Sequence, residues 1–345
     1  MNVLVIGGTR NIGHFLVHAL VERGDHVVVL NRGLTRDELP ASVERMRVDR
    51  TDKTALARAL KDRSFDVVVD NALYKKEEAE EIVELLRRRV GHYIFLSSGQ
   101  VYLVREGIAR PFSERDYDGM LMPPPMLNTY AYEEWRYGMD KREVEDVMRA
   151  AWEAHQFPYT ALRLPMVIGE RDHFGRLYAY ILRVNDGGPI LIPSTPNFPL
   201  RHIYSGDVVR AILRLADGEP GTGRAYNISQ DETVTLDDYI ARIAAILDVP
   251  VPQLMRVRRD LLEANGFIPD CSPFSERWMS ELDNSLSKTE LGMTYTPLDV
   301  YLERTVRHYI ETAPPPPAGY KRRRAEILFA EQHETQDAFA QRETD

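Results

Sequence analysis

Tyr137 and Lys141 stand four residues apart in a stretch of helical periodicity, so both side chains leave one face of the helix about a turn from each other. A free phenol titrates near about 10, too high for passing protons at neutral pH. A neighbouring ammonium favours the phenolate and brings that value down. The pair is therefore a candidate proton shuttle. The chain holds 17 tyrosines, so the motif alone is also satisfied by an ordinary surface aromatic. Ser98, at the end of the apolar run before Tyr102, adds a hydroxyl able to hydrogen-bond a reacting oxygen.

A second chemical signal opens the chain. Residues Val3 to Gly13 read VLVIGGTRNIG, a glycine turn set between an apolar strand and an amphipathic helix. Gly7 permits the tight turn and Gly13 lets the helix approach the sheet, so the free N–H groups of Thr9, Arg10, Asn11 and Ile12 can face a pyrophosphate. Arg10 stands where the usual fingerprint has its middle glycine. This is the pattern of a dinucleotide site. At the end of the second strand, where an acid would take the ribose hydroxyls of NAD, stand Asn31 and Arg32; a cation there suits a 2′-phosphate, so NADP is expected, with NAD the alternative. Asp49 and Arg50 after the third strand, and Asn71, Ala72 and Leu73 after the fourth, occupy the same sheet edge. With a dinucleotide in place, Tyr137 moves a proton, Lys141 also holds the nicotinamide ribose, and a hydride moves to or from the nicotinamide.

These groups need a scaffold. Short apolar runs at Asn2 to Ile6, His26 to Asn31, Val43 to Val48, Asp66 to Asp70 and His92 to Ser97 alternate with helical stretches at Ile12 to Arg23, Thr54 to Asp62 and Glu77 to Arg89. Such alternation predicts an α/β fold with a Rossmann-type doubly wound parallel sheet. A proline-rich loop around Pro123 to Pro125 follows, then a helix at Ala131 to His155 and a sixth strand at Tyr159 to Val167. Helices are expected at Asp207 to Ala216 and Leu236 to Leu247. The expected organisation is a dinucleotide-binding domain at 1–168 with part of 200–230, an interleaved, smaller mixed α/β substrate lobe at 169–313, and a charged tail at 314–345, a loosely packed helix or disordered.

A formal charge of −9 argues against a general polyanion binder. No run reaches the roughly 20 apolar residues of a membrane-spanning helix and no signal-peptide layout opens the chain, so a cytoplasmic protein is expected. Cys271 is the single cysteine and cannot form an internal disulfide. His14, His173 and His202 lack metal-ligand spacing, and no metal site is expected.

The order of glycine turn, Ser98 and Tyr137/Lys141, together with Leu162 to Gly169, His202 to Asp207 and Ala225 to Ile228, resembles the extended or atypical short-chain dehydrogenase/reductases of the NAD-dependent epimerase/dehydratase superfamily. The resemblance implies that Pro165 and Val167 contact the nicotinamide side. Sugar-nucleotide dehydratases of that group carry an acidic pair where this chain has Gly99 and Gln100, which argues against elimination of water. Epimerases usually show an arginine where this chain has Leu200, with Arg201 one place later. Gln100, Arg171, Arg176 and Arg201 are the substrate candidates. The implied activity is hydride transfer at a secondary alcohol or ketone carbon of a sugar or nucleotide-linked sugar, by an epimerase or a ketoreductase, in a chain able to form a homodimer. The competing class keeps the fold without turnover, as a cofactor sensor or an RNA-binding relative.

Overall fold

A computed structural model describes residues 1–218 and 221–342, with side chains through 333. In chain order its elements are β1 (Asn2–Ile6), α1 (Asn11–Glu22), β2 (His26–Asn31), β3 (Glu44–Arg47), α2 (Lys53–Leu60), β4 (Phe65–Asp70), α3 (Lys76–Leu86), β5 (Val90–Ser98), α4 (Gln100–Leu103), α5 (Tyr130–His155), β6 (Tyr159–Leu164) and β7 (Val167–Ile168). There follow α6 (Arg176–Asp186), β8 (Ile190–Pro193), β9 (Ile203–Tyr204), α7 (Ser205–Ala216), β10 (Arg224–Asn227), α8 (Leu236–Leu247), β11 (Leu254–Val257), α9 (Arg259–Ala264), α10 (Ser285–Glu290), α11 (Leu298–Thr312) and α12 (Arg323–Arg342).

The first compact unit comprises 1–171, 201–231 and 280–296. Its seven-stranded parallel sheet runs β10-β6-β5-β4-β1-β2-β3. Val3, Leu4 and Val5 are each wholly buried, because helices cover both faces of β1 and leave no polar side to alternate with. Val3 and Val5 join the core that α1 and α7 cover, while Leu4 and Ile6 join the core on the opposite face with residues of α2, α3 and α5. The strand order reverses between β1 and β4, and a ligand crevice is expected at the carboxyl ends of those two strands.

The sixth strand differs from its expectation. It stops at Leu164, and Val167 and Ile168 instead pair with β9. Pro165 explains the break, since it has no N–H for the ladder. The stretch after β5 is likewise not all loop, for it contains α4 and a 3₁₀ turn at Glu114–Tyr117.

The second unit comprises 172–200, 232–279 and 297–345, of which 343–345 lie outside the described residues. Here α6, α8 and α11 pack together beside the parallel pair β8 and β11. Loose packing does not hold for the described side chains between Pro317 and His333. Ala330 is wholly buried, and Glu326 forms a buried ion pair of 2.6 Å with Arg183 of α6. That pairing satisfies a cation buried in the same unit, which the charged composition of the tail conceals. Residues 280–296, expected in the substrate lobe, belong to the sheet unit instead, where Asn284 donates to the Ser229 carbonyl oxygen at 2.8 Å. No helix among the described residues is long and apolar enough to cross a membrane.

Candidate active site

The glycine turn sits where the crevice was expected. Gly7 has φ +79°, a left-handed conformation that favours glycine, and its added Cβ would lie 3.2 Å from Ala72 Cβ at the end of β4. At Gly13 an added Cβ would lie 2.7 Å from the Gly7 carbonyl oxygen, so the helix rests on the turn itself. Arg10, the N-cap of α1, makes no side-chain cap bond, and the first turn carries no acidic residue. The leading N–H groups are therefore left for another acceptor. The buried Asn11 Oδ1 has no hydrogen-bond partner among the described residues. An uncapped helix start, a cradle that a Cβ would fill and an orphaned polar atom fit the diphosphate of a dinucleotide. Ile12 faces the core and Thr9 is half-buried.

The adenosine-side candidates divide. Arg32 is exposed and interacts electrostatically with Asp49. Arg10 reaches toward the same loop, donating to Thr35 Oγ1 at 3.1 Å. Asn31, by contrast, uses its side-chain oxygen to accept from the Gly33 N–H at 2.7 Å. Asp49 accepts from the Thr51 N–H at 3.0 Å and hydroxyl at 2.8 Å, and these bonds hold its carboxyl below the usual range. Arg50 turns inward: it donates to both carboxylate oxygens of the buried Asp70 at 3.0 Å and to the Ala72 carbonyl at 2.7 Å. Asn71 donates to the Ile6 carbonyl at 3.2 Å. Arg50 thus braces the loop after β4 instead of presenting a free cation.

Lys141 is the centre of the reactive end. Its side chain is only 2% exposed, and Nζ donates to the Leu73 carbonyl at 2.6 Å and the Leu96 carbonyl at 2.9 Å. Burial pulls its pKa down to about 8, against the opposing pull of Asp70 and Glu145. An ammonium has three N–H donors, so one remains beyond these two carbonyls. Nζ lies 6.0 Å from the ring centre of Tyr137 and 4.6 Å from that of Tyr74.

Ser98 and Gly138, the neighbour of Tyr137 on α5, both approach Gln100. Ser98 Oγ accepts the Gln100 N–H at 3.2 Å, while an added Cβ on Gly138, beside Tyr137, would lie 2.9 Å from the Gln100 carbonyl oxygen. The close approach of α4 to α5 at Gly138 sets the helix carrying Tyr137 against the turn that follows Ser98. Gln100 itself, 6% exposed, donates from Nε2 to Glu134 at 2.5 Å. Beneath them Glu145 accepts from Ser97 Oγ at 2.5 Å and pairs with Arg163 at 2.6 Å, tying β5, α5 and β6 through one buried ion pair.

The remaining candidates are less convergent. Pro165 is buried and Val167 half-buried in the break between β6 and β7. Arg171 pairs with Glu38 at 3.0 Å, and Arg201 Nε donates to the Gln230 carbonyl at 2.9 Å. Arg176 belongs to the second unit, its guanidinium 4.4 Å over the ring of Phe174. Sequence reading missed Tyr74, Glu134 and Gly138. Gly138 carried a signal, since a glycine inside a long helix costs stability unless something approaches closely.

The sequence profile of the NAD dependent epimerase/dehydratase family matches residues 3–229. The chain is 25% identical over 266 residues, 73% of its length, to the chloroplast stem-loop binding protein of 41 kDa b of Arabidopsis thaliana. It is 30% identical over 152 residues, 44% of its length, to 2'-dehydrokanamycin reductase of Streptomyces kanamyceticus. The matches span 65% and 39% of those two relatives. In fold it is similar to UDP-glucose 4-epimerase of Thermotoga maritima, solved with UDP-glucose, at a TM-score of 0.72 and 21% identity, covering 91% of this chain and 100% of that one.

Proposed function

The chain belongs to the NAD dependent epimerase/dehydratase family, and on that premise we propose that it is an NADP-dependent oxidoreductase acting at a secondary alcohol or ketone carbon of a sugar. The observation that carries this reading is the buried Lys141 ammonium, fixed by the Leu73 and Leu96 carbonyls within 6.0 Å of the Tyr137 ring. An ordinary surface lysine is satisfied by solvent or a carboxylate. This one is held by two neutral acceptors, which leave its charge uncompensated by direct contact and its third N–H for a ribose hydroxyl.

Residues 7–13 would hold the diphosphate, Arg32 and Arg10 the adenosine ribose and its 2′-phosphate, and Lys141 the nicotinamide ribose. When bound, the dinucleotide supplies the hydride that goes to the carbonyl carbon. Tyr137 donates its phenolic proton to the carbonyl oxygen as that oxygen gains charge, and Ser98 donates a hydrogen bond to the same atom. The Lys141 charge stabilises the resulting phenolate, which is reprotonated from solvent. In the oxidation direction the same phenolate removes the hydroxyl proton.

Arg32 favours a ketoreductase that exchanges NADPH over an epimerase that retains NAD. The test is the cofactor recovered from the purified protein, with steady-state rates for NADPH and NADH on a ketosugar panel. Tightly retained NAD with no dependence on added NADPH rejects the reductase. A second reading, a non-catalytic RNA-binding protein, is supported by the relative matched over 73% of the chain. The charge of −9 weighs against it, and Tyr137→Phe leaving every measured activity unchanged would favour it.

A further inference from the structure

Glu134, Tyr137, Gly138 and Lys141 fall at positions i, i+3, i+4 and i+7 of α5, a single stripe. Glu134 therefore stands one turn from the proton-handling phenol, on the same face. Its carboxylate is held there by the side-chain amide of Gln100, whose own N–H donates to Ser98 Oγ. Gln100 is 6% exposed, whereas Glu134 is half-buried and still reaches solvent. One carboxylate is thus oriented by a buried amide at the rim of the reactive group. No part of the proton transfer described above uses it.

The two arginines that were substrate candidates in the same unit are already engaged. Arg201 donates to the Gln230 carbonyl at 2.9 Å and interacts electrostatically with Asp231 and Asp283, and Arg171 is paired with Glu38 at 3.0 Å. A nucleotide diphosphate needs uncompensated cations, and a fixed carboxylate beside the reacting carbon repels it. An ammonium or a sugar hydroxyl is what such a carboxylate attracts.

We propose that Glu134, oriented by Gln100, is a specificity-determining residue that takes an ammonium group of an amino-substituted sugar next to the carbon that Tyr137 serves. This rests on the oxidoreductase reading and names its substrate class. The probes are kanamycin, a polycationic amino-sugar compound, and UDP-glucose, an anionic nucleotide sugar, each titrated calorimetrically into the NADPH-loaded protein. Kanamycin should bind the wild type, about tenfold or more weakly to Glu134→Gln, with partial recovery in Glu134→Asp. The loss should shrink as salt rises. NADPH binding by each variant, read from its fluorescence, establishes that the protein is folded. Equal affinity of wild type and Glu134→Gln for kanamycin, absence of kanamycin binding, or tighter binding of UDP-glucose overturns the proposal. Failure of the oxidoreductase reading has a separate signature: Tyr137→Phe turning over a ketosugar as fast as the wild type, whatever kanamycin does.

Discussion

The ammonium of Lys141 lies closer to the ring of Tyr74, at 4.6 Å, than to the ring of Tyr137, at 6.0 Å. Two phenols therefore flank one cation, and they should differ in what their hydroxyls do. Tyr74 is 46% exposed, yet partial desolvation of its hydroxyl, with the Asp70 charge adding, raises its pKa, so it keeps its proton and offers the cation only a ring face. Tyr74→Phe should leave turnover within about twofold, because the face is retained. Tyr137→Phe should lower kcat by about 10²- to 10⁴-fold. Steady-state kinetics on the two variants compares them directly.

The position of the Lys141 titration sets a pH dependence. Its folded-state pKa, about 8, lies below the ordinary lysine value of 10.5, so between those limits the unfolded chain binds the extra proton. Stability contributed through this group accordingly rises with pH across that window, and below about pH 8 the burial penalty stands in full, on the order of 3 kcal/mol. Lys141→Met should remove that rise, seen as a flatter difference in Tm from pH 8 to 10.5. The same variant should abolish any fall in dinucleotide affinity as the wild type loses its charge above pH 8.

Gly13 allows no side chain. Its substituent would press on the Gly7 carbonyl at 2.7 Å and on Gly8 Cα at 2.8 Å, both backbone atoms that cannot swing away. Gly13→Ala should cost about 1–3 kcal/mol by overpacking and weaken NADPH at least tenfold by displacing the helix start. Urea unfolding and fluorescence titration separate the two effects.

Arg183 and Glu326 make a stability prediction remote from the chemistry. Both are buried, and Arg183 also donates to the Gly319 carbonyl at 2.7 Å. Glu326→Ala strands a guanidinium and should destabilise by about 3–5 kcal/mol, whereas the paired change Arg183→Met with Glu326→Leu should restore much of that loss. Chemical denaturation of the single and double variants tests this.

Much of the scaffold was legible because it is local. The bounds of β1, β2 and α8 follow from runs of Val, Leu and Ile or from helical spacing within a dozen residues, and they coincide with the expected limits. The break at Pro165 was legible in principle, yet the apolar run on both sides outweighed one missing N–H. Site contacts were less legible, since their partners are far apart in sequence. Arg50 looked like a ligand contact until Asp70, 20 residues on, claimed it; Arg171 meets Glu38 across 133 residues, and Gln100 meets Glu134 across 34. A charged residue at a sheet edge announces its charge in the sequence, while the neutralising group can only be found once the strands are in register.

The sheet unit closes late. Its last stretch, 280–296, contains Asn284, whose amide reaches the Ser229 carbonyl, and Thr296, whose N–H donates to the buried Asp207 at 2.8 Å at the start of α7. On the ribosome, then, the dinucleotide half is complete in its strands by Asn227 but must wait for some 70 further residues before Ser229 has met Asn284 and Asp207 has met Thr296. A chain ended after β10 would leave the Asp207 carboxylate with Arg210 alone and without Thr296, and transplanting this half onto another lobe means cutting the chain at five junctions, not one.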